Sequence, residues 1–139
     1  MNFTRRRAFA AGTSMRISQC AAVAALGWCI AFGGSAYAGE ADVIAAKVRR
    51  SAPDTFSFDV TVKSNDKSGR YFADWFEVLT PDRKLLARRE LLHDHADEQP
   101  FSRDLSGVKI PPGIDTVIIR AHHNVKGYDG ETLTVRLPP

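Results

Sequence analysis

The stretch that decides the fold is Phe56-Ser57-Phe58-Asp59-Val60-Thr61-Val62-Lys63, in which apolar and polar residues alternate without a break. Because successive side chains of a strand point to opposite faces, the apolar residues share one face and the polar residues the other. This pattern predicts a half-buried strand with its apolar face on a core. Residues 132–137 alternate in the same way and predict a second such strand.

Short turn sequences divide the rest of the chain into further strand-like segments. Each of these turn sequences contains proline and separates one apolar segment from the next. They are Ser51-Ala52-Pro53-Asp54, Thr80-Pro81-Asp82-Arg83 and Pro111-Pro112-Gly113. Segment 41–50 fits either a helical turn or an edge strand, and we favour the strand. Six or seven short strands with no long helix predict an all-β fold, a single antiparallel immunoglobulin-like sandwich of about seven strands.

The last third of the chain resembles a known class of sandwich. The segment from Pro112-Gly113 through 117–121 to 134–138 resembles the closing strand pair of immunoglobulin-like and fibronectin type III domains. That resemblance implies a β-sandwich that binds rather than catalyses. The chain departs from true immunoglobulin domains because residues 39–139 contain no cysteine pair. Its His-x-His…Asp-Glu-Gln-Pro-Phe stretch, residues 93–101, is similar to that of small exported bacterial proteins of unknown role.

The first 38 residues have the features of an export signal. Four arginines and no acidic residue accompany an apolar stretch, roughly 20–32, and Ala36-Tyr37-Ala38 fits a cleavage site. We interpret residues 1–38 as a cleaved signal peptide and 39–139 as a β-sandwich domain that is periplasmic or secreted. Because Arg6-Arg7-Ala8-Phe9 also fits a twin-arginine signal, both the Sec and the twin-arginine route stay open.

Removal of this leader changes the chemistry of the chain. Both cysteines and both methionines lie in it, so the domain has no disulfide and no sulfur ligand for a metal. Four of the 19 basic residues also lie in it, and all 16 acidic residues follow it, which leaves 15 basic against 16 acidic residues. Without a basic stripe we expect no nucleic-acid partner, and after cleavage no membrane span.

Histidines and carboxylates form the candidate metal site. His93 and His95 are two residues apart, and on a strand such residues share one face, about 6.6 Å apart. His122 and His123 end a later strand, and one of them reaches the first pair if the two strands are neighbours. Imidazole and carboxylate suit Zn²⁺ or Cu²⁺, and we expect no other cofactor. The candidate ligands are His93, His95, His122, His123, Asp97 and Glu98.

Two other interpretations of these residues stay open. Histidines at strand ends are often surface residues that bind nothing. In addition, Pro100 favours an extended residue before it, so that Phe101 enters the core and a nearby carboxylate caps backbone N–H groups or pairs with Arg103. The sequence has no G-x-S-x-G motif and no phosphate-binding loop. We therefore expect a non-enzymatic protein without catalytic residues.

Segment 71–79 carries aromatic residues on both of its faces. One face fills the core, and the other is either an exposed platform for a protein partner or covered by the N-terminal segment. We favour the covered arrangement, and Tyr128 at a loop tip is a further candidate contact. The expected function is an exported binding or accessory module that holds a protein partner through an exposed strand face or loops. The alternative is a metal-binding protein.

Overall fold

The fold is a sandwich of two antiparallel sheets in a computed structural model that describes residues 39–139; the interpretation of 1–38 as a signal peptide lies outside these residues. The seven strands are β1 Ala41–Ala52, β2 Thr55–Ser64, β3 Ala73–Leu79, β4 Leu85–Glu90, β5 Phe101–Lys109, β6 Thr116–His123 and β7 Leu133–Arg136. One sheet has the order β1-β2-β5 and the other β4-β3-β6-β7. The predicted all-β sandwich of about seven strands is confirmed.

The core lies where the alternating strands of the two sheets face each other. The predicted inward face of β2, which begins at Phe56, is at most 4% exposed. On β6 the alternate residues Val117, Ile119 and Ala121 are at most 3% exposed. Burial of each such side chain stabilises the fold by about 1.5–3 kcal/mol. The described residues contain no helix that is long and apolar enough to cross a membrane.

The strand β1 was predicted from the sequence, whereas the regularity of β5 was not. β1 is an edge strand that pairs with β2 only, as predicted. The sequence pattern of residues 101–110 is irregular and predicts a strand only weakly. They form the nine-residue strand β5, because β2 supplies a ladder of hydrogen-bonding partners from Thr55 to Val62. Tertiary pairing overrides a weak local pattern here.

The histidine segment is a loop that crosses from one sheet to the other. β4 is an edge strand of the four-stranded sheet and β5 an edge strand of the three-stranded sheet. The connection, residues 91–100, is not a strand. Leu91 and Phe101 anchor its two ends in the core, where they are 4% and 3% exposed. The loop therefore lies at one open side of the sandwich, between β4 and β5.

Candidate functional site

A network of hydrogen bonds fixes the crossing loop. The Asp66 carboxylate accepts one bond from the backbone N–H of His95, at 2.8 Å, and one from that of Ala73, at 2.9 Å. The Gln99 side chain donates to the His95 carbonyl and to the Ser64 hydroxyl, both at 3.0 Å. Because His95 is held from both sides, its ring has a defined position.

His93, His95 and Glu98 come together in this loop. Each contributes one possible ligand atom, and these three atoms lie within 4.8 Å of one another. The ring centroids of His93 and His95 are 4.7 Å apart, and His95 Nε2 lies 3.7 Å from Glu98 Oε1. His93 and Glu98 are exposed, whereas His95 is 3% exposed. The group thus combines one buried imidazole, whose position is fixed, with two exposed ligands.

The buried side of the His95 ring faces a carboxylate. Its Nδ1 atom is buried without a hydrogen-bond partner and lies 3.9 Å from Oδ2 of Asp66, whose side chain is fully buried. The Phe101 ring stacks on His95 with centroids 4.0 Å apart. Burial lowers the pKa of His95, and the positive charges of Arg103 and His93 act in the same direction. The neutral imidazole that binds metals is therefore favoured.

Arg103 holds the third member of the group. Its guanidinium donates to Oε1 of Glu98 at 2.6 Å, and Phe101 packs in the core. The predicted pairing of a carboxylate with Arg103 and the predicted burial of Phe101 are both confirmed. Asp97 is not a member of the group.

The second histidine pair lies elsewhere. β6 pairs with β3 in the interior of the four-stranded sheet, so that His122 is opposite Trp75 and His123 is opposite Ala73. Nδ1 of His123 accepts the backbone N–H groups of Val125 at 3.2 Å and of Lys126 at 3.3 Å. This ring is fully buried. His123 therefore stabilises a turn, and neither histidine of this pair joins His93 within the part of the chain that the structure describes.

The outward side of the four-stranded sheet carries a second group, the outer-face cluster. It consists of Trp75, Glu77, Arg88, Arg120, His122 and Tyr128. Trp75 and His122 stack with ring centroids 3.8 Å apart, and the Trp75 indole donates to the Tyr128 hydroxyl at 3.0 Å. The guanidinium carbon of Arg88 lies 4.4 Å from the Trp75 ring centroid, and that of Arg120 lies 3.7 Å from the centroid of Tyr128.

This outer face departs from the arrangement that the sequence favoured. The N-terminal strand β1 does not cover it, because β1 belongs to the other sheet. Instead, the side chains of the outer-face cluster partly cover one another. The sequence alone does not distinguish Arg120 as a site residue, although the alternation of β6 places Arg120 and His122 on one face. Arg88 joins the same face because the register of β3 and β4 sets it opposite Glu77.

Glu77 lies beneath the two arginines of the outer-face cluster and is 2% exposed. Burial alone would raise its pKa, but hydrogen bonds from Arg88 and Arg120 outweigh burial and hold the pKa below its ordinary value of 4.5. A carboxylate whose pKa is lowered by folding stabilises the fold above the unfolded-state pKa. This stabilisation is lost as the pH falls through the folded-state value.

We predict that Glu77→Gln lowers the free energy of unfolding at pH 7 by about 1–3 kcal/mol, because the three charge-assisted hydrogen bonds from Arg88 and Arg120 are weakened. The variant should also lose less stability than the wild type between pH 5 and pH 3. Urea unfolding across this range measures both effects. Glu90→Gln, which removes a carboxylate with 58% side-chain exposure from the neighbouring strand, is the matched control and should change little. Equal effects of the two substitutions would contradict the prediction.

Comparisons with known proteins give a distant relative. No family model matches the chain, and no solved structure matches it. A protein of Halomicrobium mukohataei is similar to the chain. It carries the name "Putative lipoprotein" and is 33% identical over 96 residues, which are 69% of this chain and 47% of the relative. The chain thus spans about half the length of this curated relative. The β-sandwich is shown, and the finer resemblance to immunoglobulin-like or fibronectin type III domains stays a prediction.

Proposed function

We propose that the protein is an exported, non-enzymatic binding protein whose ligand is a divalent transition metal ion, Zn²⁺ or Cu²⁺, held by His93, His95 and Glu98. One observation carries this proposal. A ligand atom from each of the three residues lies within 4.8 Å of the others, in front of a buried carboxylate, Asp66.

Export and placement in the cell envelope rest on two supports. The first is the leader-like sequence of residues 1–38, with its arginines, apolar stretch and Ala36-Tyr37-Ala38. The second is the lipoprotein name of the relative from Halomicrobium mukohataei. Together they favour a periplasmic, envelope-associated or secreted protein.

The distances in the loop suit a small tetrahedral ion. Two ligands at ~2.0 Å from a tetrahedral zinc are about 3.3 Å apart. His95 Nε2 and Glu98 Oε1 are 3.7 Å apart, so a small movement of the exposed Glu98 is sufficient. The buried Nδ1 of His95 lies 3.9 Å from Asp66 Oδ2, so a shift of the ring by about 1 Å would give it Asp66 as a hydrogen-bond acceptor. Carboxylates behind metal-bound histidines fix the ring in this way.

A group of three protein ligands leaves one coordination position open in a four-coordinate ion. His93 and His95 both line the pocket between β4 and β5, so an ion held by them would be reached from that pocket. An accessible position favours uptake and transfer of an ion over a permanently closed structural site. This supports an accessory role in metal binding.

Titration of the metal-free, untagged protein with Zn²⁺ and Cu²⁺ by calorimetry tests the proposal. We expect one ion per chain, bound at micromolar or lower free concentration. His122→Ala should bind equally well, because His122 lies outside the group. Failure to bind either ion at micromolar concentration would overturn the proposal.

A protein partner is the second candidate, and the outer-face cluster favours it. Trp, Tyr and Arg are the residue types that dominate the energetics of protein interfaces. Here Trp75, Tyr128 and Arg88 are already held by stacking and hydrogen bonds. A partner therefore loses little side-chain entropy when it binds them.

Site-specific photo-crosslinking in the producing cell tests this second candidate. Thr134 pairs with Ile118 beside the cluster, and Asp59 lies in the other sheet. We expect a photo-reactive residue at Thr134 to capture one defined partner, and Trp75→Ala to abolish that capture. Equal crosslinking from Asp59, or full crosslinking in Trp75→Ala, would contradict it.

A further inference from the structure

Arg89 of β4 points into the sandwich instead of into solvent. It lies directly opposite Phe76 of β3, and directly opposed residues of an antiparallel pair point to the same face. Phe76 is fully buried in the core. The Arg89 Nε is buried and has no hydrogen-bond partner. Within residues 39–139, Arg89 also forms no ion pair.

A second arginine reaches the same place from the other sheet. Arg103 of β5 lies opposite Val60 of β2, whose side chain is in the core, so Arg103 also points between the sheets. Both arginines line a cavity of about 380 Å³ between β4 and β5. Of the titratable residues that line this cavity, five are basic and one is acidic: Arg88, Arg89, Arg103, His93, His95 and Glu90. Glu77 and Glu98 offset the charges of Arg88 and Arg103, so within residues 39–139 Arg89 is the arginine of this lining that has no carboxylate partner.

A bound acceptor group would offset the destabilisation that the unpaired Nε atom of Arg89 causes. A buried guanidinium nitrogen without a partner is destabilising, and most native proteins avoid it. Arg88 and Arg103 have their own carboxylates, Glu77 and Glu98. Arg89 has no such carboxylate partner. The N–H donors of its planar guanidinium group match the oxygens of a phosphate, sulfate or carboxylate group.

We propose that the cavity between β4 and β5 binds a small molecule with an oxyanion group, held by the guanidinium group of Arg89. Arg103, whose Nη1 and Nη2 already donate to Ser102 and Glu98, lines the opposite side of the cavity. A volume of about 380 Å³ is in the range of small-molecule sites and leaves room beyond a single oxyanion. The inference goes beyond the metal site, because Arg89 is not a metal ligand. It applies to the metal-free protein.

Titration of the metal-free protein with sodium phosphate, sodium sulfate and sodium acetate, at constant ionic strength in chloride, tests the proposal. Chemical shifts in NMR spectra give the affinity and the residues that respond. We expect saturable binding of at least one of the three oxyanions, with the largest shifts around Arg89. The preference between phosphate or sulfate and acetate identifies the ligand as a tetrahedral oxyanion or a carboxylate.

Arg89→Gln should weaken this binding about 10-fold or more, since charge-assisted hydrogen bonds are lost. Arg89→Lys should keep part of it. Arg136→Gln is the matched control, because Arg136 is exposed on β7 at the opposite edge of the same sheet. Because Arg89 has no partner to lose, Arg89→Gln should melt at the wild-type temperature or higher. No saturable binding, or equal binding by Arg89→Gln and the wild type, would overturn the proposal.

Discussion

His95→Ala is expected to weaken Zn²⁺ binding by at least about 100-fold. Changes to residues behind a metal ligand already cost about 10- to 100-fold, and loss of a ligand removes a direct bond. His95 is also the member of the group whose position is fixed, by Asp66 and Gln99. Calorimetric titration of the metal-free variant measures the effect.

Two further variants separate ligand loss from misfolding. Removal of the His95 ring leaves a cavity beside Phe101 and lowers stability, so the melting temperature of the variant must be recorded. Glu98→Gln changes an exposed ligand without opening a cavity, and it should also weaken binding. His122→Ala should not. Zinc affinity that is unchanged in both His95→Ala and Glu98→Gln would exclude the proposed ligands.

Leu91→Ala should lower the free energy of unfolding by about 2–5 kcal/mol, the range for truncation of a buried leucine. Leu91 is 4% exposed and belongs to the core, and its backbone N–H donates to the Asp74 carbonyl at 2.8 Å. It anchors the start of the loop that carries His93 and His95. The domain has no disulfide to offset such a loss. Urea unfolding at pH 7 gives the magnitude.

Leu92→Ala is the matched control for this substitution. The two leucines are neighbours and lose the same atoms, but Leu92 is 87% exposed. Its truncation should change stability by no more than about 0.5 kcal/mol. Similar losses for the two variants would mean that the end of β4 is not packed as described.

Much of the fold could be predicted because its information is local. The alternation from Phe56 to Lys63 identifies β2 and its inward face before any partner is known. Proline and glycine turns divide the remaining strands in the same way. The regularity of β5 could not be predicted, because Gly107 and several polar residues weaken its local pattern. Its ladder with β2 supplies the missing stabilisation.

The candidate metal site, too, could be predicted from the sequence only in part. His93, His95 and Glu98 could be grouped because six residues of one loop contain them all. Their distance from His122 and His123 could not be predicted, since it depends on β6 pairing with β3 and not with β4. The inward orientation of Arg89 likewise depends on the register that sets it opposite Phe76. A sequence pattern predicts which side chains share one face of a strand, whereas the pairing of strands decides which faces lie next to each other.

X-ray absorption spectroscopy of the zinc-loaded protein tests the central proposal most directly. It reports the number and type of atoms bonded to the metal. We expect two imidazole nitrogens at ~2.0 Å, from His93 and His95, with oxygen ligands that include Glu98. In His95→Ala, the signal should show a single imidazole or no bound zinc. A spectrum that keeps two imidazoles in His95→Ala, or shows none in the wild type, would contradict the proposed metal site.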